Sequence, residues 1–183
     1  MALDVILARR RGSLCMGDAT DAVAALSGSR FHLVVFCAKE FGPPPQVFKD
    51  ARERRSQVYF CPLDDANITK DEAFLASRAA DVVVQALRSS REVLVTCMQG
   101  RNRSGLVTAL ALHMLSGSGG EAAARFVRER RVRVAAPALT NPSFAALLKN
   151  IPMREDGPRE AVSRQPSAIS SDETKRQKGL IVL

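Results

Sequence analysis

From Val93 to Leu115 the chain reads VLVTCMQGRNRSGLVTALALHML, and few folds accommodate that succession. A β-branched apolar run of strand length leads directly into a polar, glycine-containing turn, and the turn leads into a helical stretch that is apolar nearly all round. A helix of that kind is expected to be buried. In the turn, Cys97 and Arg103 stand six positions apart with Gly100 between them and Ser104 directly after. The helix is expected to start near Arg103.

Residues wrapping from a strand end to a helix start can turn successive backbone N–H groups inward and form a nest for a tetrahedral dianion. Gly100 permits the positive φ such a turn requires, and the helix N-terminus adds its partial positive charge. Arg103 can grip two phosphate oxygens through its planar fork, which a lysine cannot do. The same positive surroundings favour a thiolate at Cys97. The stretch therefore reads as a phosphate-binding loop, Met98, Gln99, Gly100, Arg101, Asn102 and Arg103, with a nucleophile at its base. The Cys-x5-Arg spacing is weak by itself, and its context between strand and helix supplies the specificity.

With 183 residues, 46% of them hydrophobic and 25% charged, the chain suits one cored domain plus a tail. The longest apolar runs, such as His32 to Ala38, fall well short of the roughly 20 residues a membrane-spanning helix needs. A basic cluster follows the short apolar start of MALDVILARRR, the reverse of a secretory signal. A reducing compartment is expected, cytoplasmic with the nucleus left open. Cys15, Cys37, Cys61 and Cys97 form no C-x-x-C pair, which argues against a metal site and a disulfide framework. No cofactor is implied. The net charge is +8, and from Arg154 onward six basic and five acidic residues leave only one of those charges, so the first 153 positions carry seven. That excess serves solubility or attracts anionic substrates.

Along the chain, Asp4 to Ala8 and Ser13 to Met16 suggest an edge hairpin around the basic turn Arg9 to Gly12. Asp18 or Thr20 can cap a short helix ending near Gly28. His32 to Cys37 has the continuous apolar pattern of a strand buried on both faces. The three prolines of AKEFGPPPQ make a stiff surface loop, and Gln46 to Arg55 reads as a helix. Gln57 to Cys61 is expected as another buried strand, stopped by Pro62. The acidic loop PLDDAN follows. A long amphipathic helix then runs from Thr69 or Asp71 to about Ser89, with Phe74, Ala79, Val82, Val83, Ala86 and Leu87 as its apolar stripe. Glu121 to Arg131 forms a further helix, and Asn141-Pro142 opens a last one to about Asn150. Strands alternating with helices give an α/β fold, a central, mostly parallel sheet flanked by helices. Residues 1–153 are expected to form the domain and 154–183 a disordered tail.

The loop residues Cys97, Gly100, Arg103 and Ser104, with Asp65 as a distal partner, resemble the cysteine-based protein phosphatases. Their signature is H-C-x5-R-(S/T), and the chain length is similar to the compact dual-specificity branch. The resemblance implies that Cys97 attacks phosphorus, a phosphocysteine forms, and water hydrolyses it, while Arg103 and the loop amides hold the equatorial oxygens. Asp65 lies about 30 residues upstream in a P-x-x-D spacing from Pro62 that is similar to the family's acid loop, so the resemblance makes it the general acid. Asp64 is the runner-up, and both could instead only cap the turn before the next helix. Ser104 resembles the hydroxyl that helps the thiolate leave, or is an N-cap.

Two positions depart from that signature. Thr96 stands where the family usually has histidine, and Asn102 before the arginine is similar to some RNA 5′-triphosphatases of the superfamily. The implied substrate is a phosphoprotein, on tyrosine and on serine or threonine. RNA 5′-triphosphates, phosphoinositides, or a binding module with weak turnover are the alternatives, and nucleic acid is a partner only under the first of these. Gln99 and Arg101 either bias the rim toward more negative substrates or are simply solvated. His113 and His32 read as structural, and Cys15, Cys37 and Cys61 as core. The RERRVR run reads as a solvated helix face or a phosphate-recognition surface.

Overall fold

Two uninterrupted apolar runs set the centre of the sheet. Strand β3 (Leu33–Ala38) and strand β5 (Val93–Thr96) are buried at every residue, as strands covered on both faces must be. In the computed structural model they lie side by side and parallel. The structure describes residues 4–8, 12–28, 30–53, 55–131 and 137–154. The expected tail beyond Arg154 and the basic turn residues Arg9 to Arg11 lie outside them.

Strands β1 (Asp4–Ala8) and β2 (Ser13–Gly17) form the expected antiparallel hairpin, and β4 (Gln57–Leu63) completes a five-stranded sheet in the order β1-β2-β5-β3-β4. The pairs β2–β5, β5–β3 and β3–β4 are parallel. Side chains alternate across the pleat. Leu14, Met16, Leu33, Val35, Cys37, Val93 and Val95 enter the larger core, while Cys15, Val34, Phe36 and Leu94 enter the smaller one. Helices α1 (Ala19–Ser27) and α2 (Pro45–Glu53) cover the smaller core. The larger is closed by α3 (Lys70–Arg88), α4 (Arg103–Ser116), α5 (Gly120–Arg130) and α6 (Pro142–Lys149).

The expectation for α4 is met: Leu106, Val107, Ala109, Leu110, Ala111 and Leu112 are all buried. Its left-handed C-cap is Gly117, at φ 71°. Asp18 caps α1 and Thr69 caps α3, each in a capping box, and Asn141 caps α6 ahead of its N-terminal proline.

Three expectations need correction. Pro62 does not stop β4, which continues to Leu63. As an edge strand β4 tolerates a residue without an N–H, and its pairing with β3 shifts register there, between Phe36 and Ala38. Nor is β4 buried throughout, because an edge strand has one neighbour: Gln57 and Phe60 are exposed. Phe74 is not in the core stripe and is 65% exposed. It lies nine residues, two and a half turns at about 3.6 residues each, from buried Val83 and so on the opposite face of α3.

Candidate active site

The carboxyl ends of the parallel strands face one side, where ligands of open α/β sheets bind. Three strands deliver reactive groups there: β3 leads to Lys39 and Glu40, β4 to Asp64 and Asp65, and β5 to Cys97. A pocket of about 380 Å³ is lined by Lys39, Glu40, Asp64, Asp65 and Arg103. Among the described residues no group of three or more His, Cys, Asp or Glu is placed to hold a metal ion. No helix there is long and apolar enough to cross a membrane.

Cys97 is 4% exposed, and its Sγ lies 3.3 Å from Ser104 Oγ in the first turn of α4. Four loop carbonyls, those of Met98, Gly100, Arg101 and Asn102, are taken up by donors outside the loop. Met98 O accepts from Ala19 N at 3.4 Å, Arg101 O from Leu139 N at 3.4 Å, and Asn102 O from Leu106 N at 2.8 Å. Gly100 O accepts from Arg131 Nε at 2.8 Å. Across a trans peptide each carbonyl and the following N–H point in opposite directions, so the N–H groups of Gln99, Arg101, Asn102 and Arg103 face away from those donors. Gly100 sits at φ 62°, a conformation that favours glycine. Met98 and Gln99 are exposed, and Arg101 is half-buried with Nε donating to Pro137 O at 3.2 Å.

Arg103 closes the loop at 5% exposure. Its Nη1 donates to the Glu40 carboxylate and, at 3.4 Å, to Leu63 O. Its Nε has no hydrogen-bond partner among the described residues. Burial works against the guanidinium charge, yet the hydrogen bond to Glu40 and the charges of Cys97, Glu40 and Asp65 more than offset it. Reciprocally, the hydrogen bond from Arg103 holds Glu40 below the usual glutamate range.

Asp65 is tied to the loop. Asn102 Nδ2 donates to Asp65 Oδ2 at 3.2 Å, and Asn141 Nδ2 donates to Asp65 Oδ1 at 3.0 Å. Asn102 Oδ1 also accepts from Thr140 N at 2.9 Å and Asn141 N at 3.3 Å. The amide before the arginine thus joins the acid loop to the segment that starts α6. Asp64 lines the same pocket, but its backbone N–H is held by Glu72 Oε1 at 2.9 Å. Thr96, buried, donates through Oγ1 to Val35 O at 3.1 Å and so ties β5 to β3.

His113 Nδ1 lies 2.6 Å from Ser118 O, and His32 Nδ1 accepts from Glu92 N at 3.2 Å, so both imidazoles serve the scaffold. Cys15 and Cys37 are buried free thiols, and burial pushes both upward in pKa, away from reactivity. One reading is corrected: Arg131 of the RERRVR run does not lie on a solvated face but is 4% exposed and paired with Asp4. Val132 and Arg133 lie outside the described residues. Sequence reasoning missed Glu40, Asn141 and the Asp4–Arg131 pair. Glu40 stands two residues beyond a buried strand, and an acid at that position was the available signal; nothing local marks Asp4.

No protein-family profile matches the sequence, and no curated protein matches it. Solved structures do. Human DUSP28 is 24% identical over 81% of this chain and 91% of its own, with a TM-score of 0.63. A mouse putative dual specificity phosphatase complexed with zinc tungstate is 22% identical over 81% of this chain and 84% of its own, with a TM-score of 0.62. Tk-PTP in the active form is 20% identical over 81% and 94%, with a TM-score of 0.61. The chain has the fold of the cysteine-based dual-specificity and tyrosine phosphatases.

Proposed function

We propose that this chain is a phosphoprotein phosphatase, hydrolysing phosphate monoesters of tyrosine and of serine or threonine through a phosphocysteine. The observation that carries this reading is Arg103. A guanidinium buried to 5% exposure at the end of the cysteine loop keeps a donor, Nε, without an acceptor among the described residues. Buried donors are nearly always satisfied, and a phosphate oxygen is the acceptor this one suits.

In the first step Cys97 Sγ attacks phosphorus in line, the P–O ester bond breaks, and the leaving oxygen takes a proton from Asp65. In the second, Asp65 accepts a proton from water, the water oxygen attacks phosphorus, and the S–P bond breaks. Ser104 Oγ, 3.3 Å from the sulfur, donates to the departing thiolate. Arg103 and the N–H groups of the loop hold the equatorial oxygens through both steps. The preference for Asp65 over Asp64 rests on the two amides that hold its carboxylate beside the loop.

Three carboxylates line the pocket against two cations. That balance favours a single phosphate group over the 5′-triphosphate of RNA or a polyphosphorylated inositol, whose additional charge would meet Glu40 and Asp64.

Hydrolysis of an aryl phosphate by the purified chain tests the reading. Cys97→Ser is expected to abolish turnover, and Asp65→Asn to lower kcat by about 10²-fold or more on alkyl esters, whose leaving group needs the proton. The loss should be smaller on aryl esters with good leaving groups. Wild-type protein without activity, or a Cys97→Ser variant that keeps it, would reject the proposal. A kcat/KM panel of phosphopeptides, triphosphate RNA and phosphoinositides at fixed salt assigns the substrate class.

A further inference from the structure

Arg131 caps the C-terminus of α5, and its guanidinium lies between two partners. Nη1 pairs with the carboxylate of Asp4 in β1, and Nε donates to Gly100 O at 2.8 Å. Arg131 is 4% and Asp4 2% exposed. Burying an ion pair removes both charges from water, and such a pair adds little stability over an apolar pair of the same size. Its geometry gives it another use, because a planar fork can face a carboxylate on one edge and a carbonyl on another.

The loop is seated directly on this guanidinium. A Cβ built on Gly100 would collide with Arg131 Nη2 and lie 2.6 Å from Gly17 O. Of the outside donors that take up loop carbonyls, Arg131 is the charged one, and its bond equals that from Leu106 N at 2.8 Å and is shorter than those from Ala19 N and Leu139 N, both 3.4 Å. Thr96 gives the loop no such tie, its hydroxyl being engaged by Val35 O.

We propose that the buried Asp4–Arg131 pair is the positioning device of the phosphate loop. Arg131 draws the Gly100 carbonyl downward, which turns the N–H of Arg101, in the same peptide plane, toward the anion, and Asp4 holds the guanidinium in register. Arg131 touches no reacting atom and acts through the Gly100–Arg101 peptide. The proposal rests on the reading of Cys97 to Arg103 as an oxyanion cradle.

Orthovanadate, a tetrahedral oxyanion, reads the cradle without turnover. Its dissociation constant is measured by calorimetry well below the melting midpoint for wild type, Arg131→Met, Arg131→Lys and Asp4→Asn, alongside kcat and KM on an aryl phosphate. Arg131→Met is expected to weaken vanadate roughly tenfold and to lower kcat more than it raises KM, since a mispositioned donor matters most as charge develops in the transition state. Arg131→Lys, which retains a donor and a charge, should recover part of the affinity, and Asp4→Asn should lose affinity in the same direction but less. A folded Arg131→Met with vanadate affinity and kcat within about twofold of wild type, whatever its melting point, overturns the proposal. If Arg131→Met shows no cooperative melt, Asp4→Asn decides by the same readouts. Wild-type protein that binds vanadate without turning over aryl phosphate sinks the phosphatase reading and leaves the positioning proposal to the variant affinities.

Discussion

Arg103 holds its charge at 5% exposure because Glu40, Cys97 and Asp65 surround it. Glu40 is the member of that set that neither bonds to phosphorus nor moves a proton in the proposed reaction, and its carboxylate aims Nη1 while Nε is left for the substrate. Glu40→Gln keeps a hydrogen-bond acceptor but removes the charge. It should lower kcat/KM several-fold, mostly through KM, in steady-state assays near neutral pH. The stability effect is expected to be slight, because the Glu40 side chain is 49% exposed and solvent screens the pair. The hydrogen bond from Arg103 lowers the folded pKa of Glu40, so this contribution is complete above the unfolded glutamate value of about 4.3 and fades as pH falls through the lowered folded one. A melting-midpoint difference between wild type and Glu40→Gln that grows on acidification would contradict this account.

Helix α3 sets the acid loop through its own cap. Glu72 Oε2 accepts from Thr69 N at 3.0 Å to close the capping box, while Oε1 takes Asp64 N at 2.9 Å. One carboxylate thereby starts the helix and holds the backbone directly ahead of Asp65. Its hydrogen bonds from the Thr69 and Asp64 backbone lower its pKa, so the clamp is intact above the ordinary glutamate range and is released as pH falls below it. Glu72→Ala should cost about 1 kcal/mol in denaturant unfolding and reduce kcat on alkyl esters more than on aryl esters with good leaving groups. Equal losses on both substrates would show that the clamp does not act through the acid. Helix α6 performs the same double service at its N-cap, where Asn141 Oδ1 accepts from Ser143 N at 2.9 Å while Nδ2 reaches Asp65.

Across the whole molecule, what could be read from sequence was what is periodic or contiguous. The apolar runs of β3 and β5, the helix after Arg103, and the cap signals at Asp18, Thr69 and Asn141 each lie within a few residues of one another. Cys97, Gly100, Arg103 and Ser104 could be read for the same reason. The edge position of β4, and with it the tolerance of Pro62, depends on sheet order, which no local pattern encodes. Arg131 was misread because it ends an arginine-rich helix like its exposed neighbours Arg128 and Arg130. What draws it inward are two partners distant in sequence, the Gly100 carbonyl and the carboxylate of Asp4 in β1. The closure onto Asp4 spans 127 residues, and contacts so far apart in sequence are among the slowest for a folding chain to make. If the loop waits on this closure, refolding from denaturant should restore helical circular dichroism before it restores orthovanadate binding. Competence at the loop would then report that β1 and the end of α5 have met, and a partly folded chain would carry Cys97 without the loop seated around it.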